Sequence, residues 1–539
     1  MNTTVQSERR WQKAKNLFFP LSFTKMHYLF TDILEIGEQA TLRRQVVVVG
    51  SGIAGAEVAT YLARHGLEVV LVESGREQFD PAIQALNDVT FLGKRHRELN
   101  PNSYYHRYLP PALRGVSRVR QFGGTSNIWT GKWKYFQPSD FEKREWIPNS
   151  EWPIKFGDLL EYYRSTAKDY GFGDLEAEAV RLEIMALRSK VEAAGLKVSS
   201  FYWEQTPTRT AKRFGDEMRQ SKNLQVLMGA TATELLLDES RQRVSKVVCR
   251  SLEEKEVTVE GEAVVLAMGA FESARLLLAS DRQLTCGIGN QHDLVGRFYI
   301  DHPKNHTGSL RPGALTREYA KELQFAPKPR FCTCFALDDK TQREEKLLEH
   351  SLYIKPIYET RLGALRRILT LRPTCQDNNG IVDHYRVNFI VEQVPHRDSR
   401  IMLSNERDAL GKRKLAVNWC FTDQDRYSIA KTLQILTERV EKSGLGTFDF
   451  GENPPSLEAA TDAAHQMGTT RMANRPEEGV VDTDCRVFGT DNLYILGSAV
   501  FPTGPSYSPT FTILALARRL GQHLRQTIPL QSAANMAKQ

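Results

Sequence analysis

No stretch of this chain reaches the ~18 consecutive apolar residues that a membrane-spanning helix requires, so no bilayer span is expected. Cysteine is sparse, and Cys249, Cys286, Cys332, Cys334, Cys375, Cys420 and Cys485 are scattered and odd in number. They do not read as a disulfide framework. The one C-x-C pair, Cys332 and Cys334, has no second pair or histidine couple at zinc spacing. A reduced, cytoplasmic chain with no metal centre is therefore expected. An excess of one charge is missing as well. The 72 basic and 65 acidic residues leave a net charge of +7, without the clustered basic stripe of a nucleic-acid binder. Internal repeats and low-complexity tracts are absent, which excludes solenoids and linker-like chains. Arg9 and Arg10 have the look of a twin-arginine signal, but no long apolar run follows, and Lys13, Lys15 and Pro20 interrupt what there is. Residues 1–45 read as an extension that packs on the surface, not as a cleaved leader.

What the chain does have is length and one organising stretch. Its 539 residues, 41% of them apolar, suffice for a large core and two or more domains. Residues 46–75 read VVVVGSGIAGAEVATYLARHGLEVVLVESG. Four valines predict a strand buried on both faces, as in a parallel sheet. Gly50, Gly52 and Gly55 form a G-x-G-x-x-G turn that opens a helix, and a second buried strand ends on Glu73 and Ser74. Gly50 permits the tight turn, Gly52 lets the backbone approach a pyrophosphate, and Gly55 lets the helix pack close to the strand. The first helical N–H groups, around Ile53 and Ala54, would face the phosphates. Glu73 stands where a carboxylate accepts hydrogen bonds from a ribose. Strand, helix, strand and acid together indicate dinucleotide binding. No second such turn follows a buried strand, which argues against a flavin enzyme reduced by a nicotinamide nucleotide.

Further along, residues 119–133 (VRQFGGTSNIWTGKW) place Gly123 and Gly124 before Thr125, Ser126 and Asn127. A bare backbone flanked by small donors can approach a planar ring, although composition alone fits an ordinary loop equally well. Residues 151–215 look mainly helical, residues 223–236 look like a strand, and residues 263–269 form a buried strand closed by glycine before a helix at 271–280. The first nucleotide domain is thus expected to resume there after an insertion. In residues 304–460, strand-like runs at 385–391, 401–403 and 415–419 and a helix at 427–440 predict an antiparallel sheet with covering helices. The basic, apolar stretch 360–373 suits a membrane surface, an anionic substrate or a partner, but a solvated face with a half-buried stripe is the simpler expectation. Near the end, a short buried strand at 493–496 is closed by Gly497 and Ser498. Ser508 then stands as N-cap and Pro509 as first residue of an amphipathic helix that includes Thr510.

Assembled in order, the motifs at 46–75, 122–133, 264–280, 295–303 (VGRFYIDHP), 465–472 (HQMGTTRM) and 493–517 resemble the glucose–methanol–choline (GMC) oxidoreductases, flavoenzymes that oxidise alcohols with FAD. Within that family the chain looks most like bacterial sugar or glycoside oxidoreductases related to pyranose oxidase. The resemblance implies an α/β chain: a Rossmann-like FAD-binding domain (46–160, 216–300 and 461–530) and an inserted α+β substrate-binding domain built on an antiparallel sheet (161–215 and 301–460), with a tail at 531–539. It implies cofactor contacts from Gly50, Gly52, Ile53, Ala54, Gly55, Glu73, Ser74, Gly123, Gly124, Thr125, Ser126, Asn127, Ala267, Gly269, Gly497, Ser498, Pro509 and Thr510. Pyranose oxidases attach flavin through a histidine in the segment aligned here with Ile128, which has no nucleophilic atom, so non-covalent FAD is expected.

His465 matches the family's catalytic histidine, and a neutral imidazole is suited to take the hydroxyl proton as hydride leaves carbon. Ser508 takes the place usually held by histidine or asparagine, and it reads equally as a substrate contact or as a helix cap. The implied activity is oxidation of a CH–OH group, expected on a secondary hydroxyl of a sugar, cyclitol or glycosylated metabolite, with oxygen or another acceptor taking the electrons. Two alternatives remain at this stage: a lyase or decarboxylase of the same fold that keeps FAD without net redox turnover, and a flavin-binding protein that has lost alcohol oxidation.

Overall fold

The computed structural model describes residues 30–93, 111–113, 116–172, 182–204, 206–305, 308–321, 323, 330–371, 373–452 and 454–530. Arg9, Arg10 and the tail at 531–539 lie outside them. The run of valines does what its burial pattern requires. Val46, Val47 and Val48 are fully buried in the strand Thr41–Val49, with Val69–Val72 parallel on one side and Glu256–Leu266 parallel on the other. The spatial order of this eight-stranded sheet is Phe30–Asp32, Leu224–Met228, Val69–Val72, Thr41–Val49, Glu256–Leu266, Val244–Arg250 and Thr231–Leu237, and Leu493–Ile495 also pairs with Glu256–Leu266. The chain leaves this sheet after Val72 and rejoins it at Leu224, then again at Leu493. The loops at the carboxyl ends of its central strands are therefore drawn from three distant segments, the usual place for a ligand in a doubly wound sheet.

A second sheet of nine strands is antiparallel throughout. Its order is Gly446–Asp449, Ser309–Pro312, Gly380–Val391, His350–Tyr358, Arg330–Leu337, Leu196–Trp203 and Lys132–Trp133, with Lys304–Asn305 and Gln376–Asp377 also on Gly380–Val391. The helix Asp423–Lys442 buries Ile429, Leu436 and Val440 among the apolar side chains of this sheet, as the helical spacing at 427–440 predicted.

Several expectations are corrected. Residues 30–32 and 41–45 are strand in the first sheet, not a surface extension, because Phe30–Asp32 finds a parallel partner in Leu224–Met228. The expected strand at 223–236 is two strands, Leu224–Met228 and Thr231–Leu237, broken at Gly229 with φ +67°. The helical region 151–215 contains the strand Leu196–Trp203, whose alternating buried and half-exposed residues carry the period of two. Strands Arg400–Arg407 and Arg413–Asn418 do not join the antiparallel sheet. They pair with each other and with Val89–Phe91. The basic, apolar stretch forms a helix, Arg361–Leu369, with no fully buried residue: Gly363, Ala364 and Arg367 are half-buried along one face, while the apolar Leu362 is 77% and Leu369 74% exposed.

Candidate functional site

A cavity of about 1070 Å³ lies between the carboxyl ends of the first sheet and one face of the second. Its floor is the glycine turn. Gly50 has φ +101°, and its N–H donates to the carbonyl of Val72, which fixes the turn to the neighbouring strand. A Cβ on Gly55 would fall 1.8 Å from the Gly50 carbonyl oxygen and 3.2 Å from the Ala267 Cβ, so only glycine lets the helix Ile53–Arg64 come this close. Gly55 therefore acts by packing and does not line the cavity, whereas Gly50, Gly52, Ile53 and Ala54 do. A Cβ at Gly52 would meet nothing within 4 Å. Gly52 is also the N-cap of that helix with no side-chain cap, so the first N–H groups of the helix are left for a ligand.

Glu73 and Ser74 line the same cavity. The Glu73 carboxylate accepts hydrogen bonds from the Ser51 N–H at 3.0 Å, the Ser51 hydroxyl at 2.5 Å and the Gly75 N–H at 2.8 Å. The acid thus locks the glycine turn to the second strand as well as facing the ligand space. Glu73→Ala is expected to weaken FAD binding by about 1.5–3 kcal/mol, the range for hydrogen bonds to a charged group. Titration of apoprotein with FAD checks this, and an unchanged Kd would remove Glu73 from the binding account.

The second loop is only partly as expected. Gly124, Thr125 and Ser126 line the cavity, as does Ile128. Gly123 and Asn127 do not, which corrects their reading as contacts. The Gly123 N–H donates to the Ser51 hydroxyl at 2.9 Å, and the Asn127 amide donates to the Phe122 carbonyl at 3.0 Å, so both hold the loop's shape from behind. Ala267, Gly269, Gly497, Ser498, Pro509 and Thr510 complete this side of the cavity. Gly269 and Gly497 have positive φ, and a Cβ on either would meet nothing within 4 Å, so the backbone there is bare toward open space.

Ser508 lines the cavity but does not cap the last helix. The helix is Thr510–Thr527, its N-cap is Pro509 in helical conformation, and no side chain caps it. The Ser508 hydroxyl is instead 3.1 Å from the Thr510 hydroxyl. An N-cap side chain needs an extended backbone at the cap itself, and the proline, already turned into the helix, takes that position from the serine.

His465 stands on the cavity wall with a partner that sequence reasoning missed. His302 Nδ1 lies 2.9 Å from His465 Nδ1, and His302 Nε2 lies 3.3 Å from the Gly504 carbonyl oxygen. Burial holds His302 down at about 4, and burial together with the charges of His302, Lys304 and Lys132 holds His465 well below the usual imidazole range. Both rings are therefore neutral near pH 7, with one N–H each. A carbonyl can only accept, so His302 Nε2 carries the proton and donates to Gly504. His302 Nδ1 must then accept, and His465 Nδ1–H donates to it. His465 Nε2 is left without a proton, as a general base must be. Asp301 sets both histidines in place. One carboxylate oxygen accepts from the N–H groups of His302 at 2.7 Å, His465 at 3.1 Å and Ala463 at 3.2 Å. Burial and the neighbouring Asp462 push Asp301 well above the ordinary carboxylate range. His302 and Asp301 lie in VGRFYIDHP, where the available signal was the dipeptide of acid and histidine. The second sheet adds Lys132, Lys304, Tyr353, Lys355 and Arg386 to the wall, none of them singled out by the sequence.

The cradle fits FAD. Three glycines whose Cβ positions open onto free space lie along one wall, an uncapped helix start meets it, and the buried Gln466 Nε2 on the cavity wall has no acceptor among the described residues.

Comparison with known proteins finds similar family models, curated relatives and solved structures. Family models described as GMC oxidoreductase match residues 204–304 and 395–517, and one described as pyridine nucleotide-disulphide oxidoreductase matches residues 37–98, which contain the glycine turn. Among curated relatives, 6'''-hydroxyparomomycin C oxidase of Streptomyces lividus is 22% identical, over 91% of this chain and 93% of the relative. Paromamine 6'-oxidase of Streptomyces fradiae is 24% identical, over 88% and 90%. Among solved structures, pyridoxine 4-oxidase from Mesorbium loti superposes with a TM-score of 0.58 at 18% identity, covering 89% of this chain and 99% of the other.

Proposed function

Because this chain belongs to the GMC oxidoreductase family, we propose that it oxidises a CH–OH group of a small carbohydrate-like alcohol to a carbonyl, with FAD as cofactor and His465 as base. The observation that carries the reading is the His302–His465 pair, which leaves an unprotonated imidazole nitrogen on the wall of the cavity that also holds the dinucleotide cradle. Bound FAD supplies the two-electron acceptor for the hydride of the alcohol carbon. Gly50, Gly52, Ile53 and Ala54 hold its phosphates, Glu73 and Ser74 its adenosine half, and Gly124 to Ser126, Gly269, Gly497 and Thr510 its ring end. His465 takes the hydroxyl proton, which raises the tendency of the carbinol C–H to leave as hydride. The names of the two relatives that oxidise paromamine and hydroxyparomomycin C support a glycoside-like alcohol. Ser508, on the same wall and within 3.1 Å of the Thr510 hydroxyl, meets a substrate hydroxyl in this reading.

The division of labour that goes with this reading assigns 46–160, 216–300 and 461–530 to the cofactor and 161–215 and 301–460 to the substrate. Strand Lys132–Trp133 crosses to the second sheet. The electrons pass on to oxygen or another acceptor, and the scattered cysteines support a cytoplasmic site of action. No helix among the described residues is long and apolar enough to cross a membrane.

Anaerobic mixing of holoenzyme with a panel of sugars, glycosides and cyclitols tests the reading. The oxidised-flavin absorbance is expected to disappear with one class of alcohol and to stay with matched deoxy compounds. Persistent absorbance across the panel, with FAD tightly held, would refute it. The flavin itself is expected to be non-covalent, since Ile128 offers no attachment atom. Acid precipitation should release all of the yellow colour to the supernatant, and colour retained in a washed pellet would contradict this.

A further inference from the structure

Resting on the alcohol-oxidation reading above, we infer that the substrate carries an oxyanion, a carboxylate or a phosphate ester, held by Lys304, Lys355 and Arg386 while its hydroxyl lies at His465.

The second sheet presents one face to the cavity, and side chains two residues apart share that face. Strand His350–Tyr358 contributes Ser351, Tyr353 and Lys355, and strand Gly380–Val391 contributes Arg386, Asn388 and Ile390. In register, Tyr353 stands opposite Asn388 and Lys355 opposite Arg386, while Lys304 on the edge strand stands opposite Ile390. Two cations directly across an antiparallel pair repel each other, an arrangement that strands ordinarily avoid. Lys132 adds a fourth strand's charge, with its ammonium 4.5 Å from the Tyr353 ring centroid and 4.7 Å from that of Trp203. Lys304 is the most telling. Burial and the charge of Lys132 push it down to about 7, and Asp462 and Asp301 act on it only through space, with no carboxylate at ion-pair distance among the described residues. A half-buried ammonium without such a partner is costly, and an anionic ligand would relieve that cost.

The position matters as much as the charge. At the dinucleotide end Arg118 and Arg120 share one carboxylate, Glu272, at 3.0 and 2.5 Å, and Arg275 pairs with Asp408 at 2.6 Å. The lysine group lies at the other end, close enough to His465 that Lys304 and Lys132 both lower its basicity. Among the described residues, Asp462, pushed up to about 6 by burial, shares the cavity wall there with Lys132, Lys304, Lys355 and Arg386. A hydroxyl and an oxyanion on one small molecule match this spacing of base and charge, and an amino sugar would meet like charge.

Thermal titration of the holoenzyme tests the inference with gluconate, inorganic phosphate, neutral sorbitol and cationic glucosamine as probes. Gluconate or phosphate is expected to raise the melting temperature saturably, with sorbitol and glucosamine without effect at the same concentrations. In Lys304→Met and in Lys355→Met the anion Kd should rise about tenfold or more, while a general salt effect would persist unchanged in both. Lys304→Met should also melt higher than wild type without ligand, so misfolding is not a confusing outcome. Anion binding no tighter than sorbitol binding, or equal in wild type and both variants, overturns the inference. If alcohols bleach the flavin but anions do not bind, this inference alone fails. If anions bind as described but no alcohol bleaches it, the oxidation reading fails instead.

Discussion

Replacing His465 with alanine is expected to leave FAD bound and to slow anaerobic flavin reduction by alcohol about 10²–10⁴-fold, the usual contribution of a positioned general base. FAD should stay because the phosphate cradle is built from other segments, and among the described residues the His465 side chain bonds to His302 alone. The pH dependence has a sign that follows from the burial of the pair. The active form is the neutral imidazole, and its pKa lies well below the ordinary value of 6.5. The wild-type reduction rate should therefore hold level as pH falls from 8 through 6.5, and be lost only at lower pH. A rate that halves near 6.5 would show that His465 titrates like a solvated histidine, contrary to its place against His302. His302→Phe keeps a ring of similar size but removes the acceptor at Nδ1. It should slow reduction while leaving FAD content unchanged, because His465 would no longer be held with its proton on Nδ1.

The other large effect is expected at the glycine turn, where two substitutions of the same size should fail for different reasons. In Gly55→Ala the new methyl lies 1.8 Å from a backbone oxygen, and neither helix nor turn can yield without moving the other. A loss of about 1–3 kcal/mol or more of stability is expected, with flavin content well below one tenth of wild type, because the helix start moves away from the phosphates. In Gly52→Ala the methyl meets nothing in the protein and enters the ligand space. That variant should also purify nearly colourless, yet as apoprotein it should melt with wild-type apoprotein. Comparing flavin content and apoprotein melting temperature on the same preparations separates the two. Full flavin content in Gly52→Ala would mean that the phosphates do not lie at this turn.

The difference between these two kinds of site explains what could be read from the sequence. The strand, turn, helix and Glu73 are consecutive in the chain, so period, glycine spacing and a carboxylate at the right distance were all visible locally. Gly123 and Asn127 were misplaced because a loop's composition does not say which face it turns to the ligand. Ser508 was read as a cap from the order serine–proline, whereas the backbone at Pro509 is already helical and the helix begins one residue later. The histidine pair was invisible for another reason. His302 and His465 are 163 residues apart, and a 2.9 Å contact between them depends on the bridge between Ile300 and Met467. The cationic face is drawn from four strands, each with one or two basic residues, none of which forms a run in sequence.

The most direct measurement is single-turnover reduction of the holoenzyme, without oxygen, by an alcohol found in the panel and by the same alcohol deuterated at the carbinol carbon. The account predicts that flavin absorbance is lost in step with one equivalent of carbonyl product and that deuterium slows this loss several-fold, because the C–H bond breaks in the step that reduces the flavin. Product formed with the flavin still oxidised, or bleaching that is indifferent to deuterium at that carbon, would contradict it.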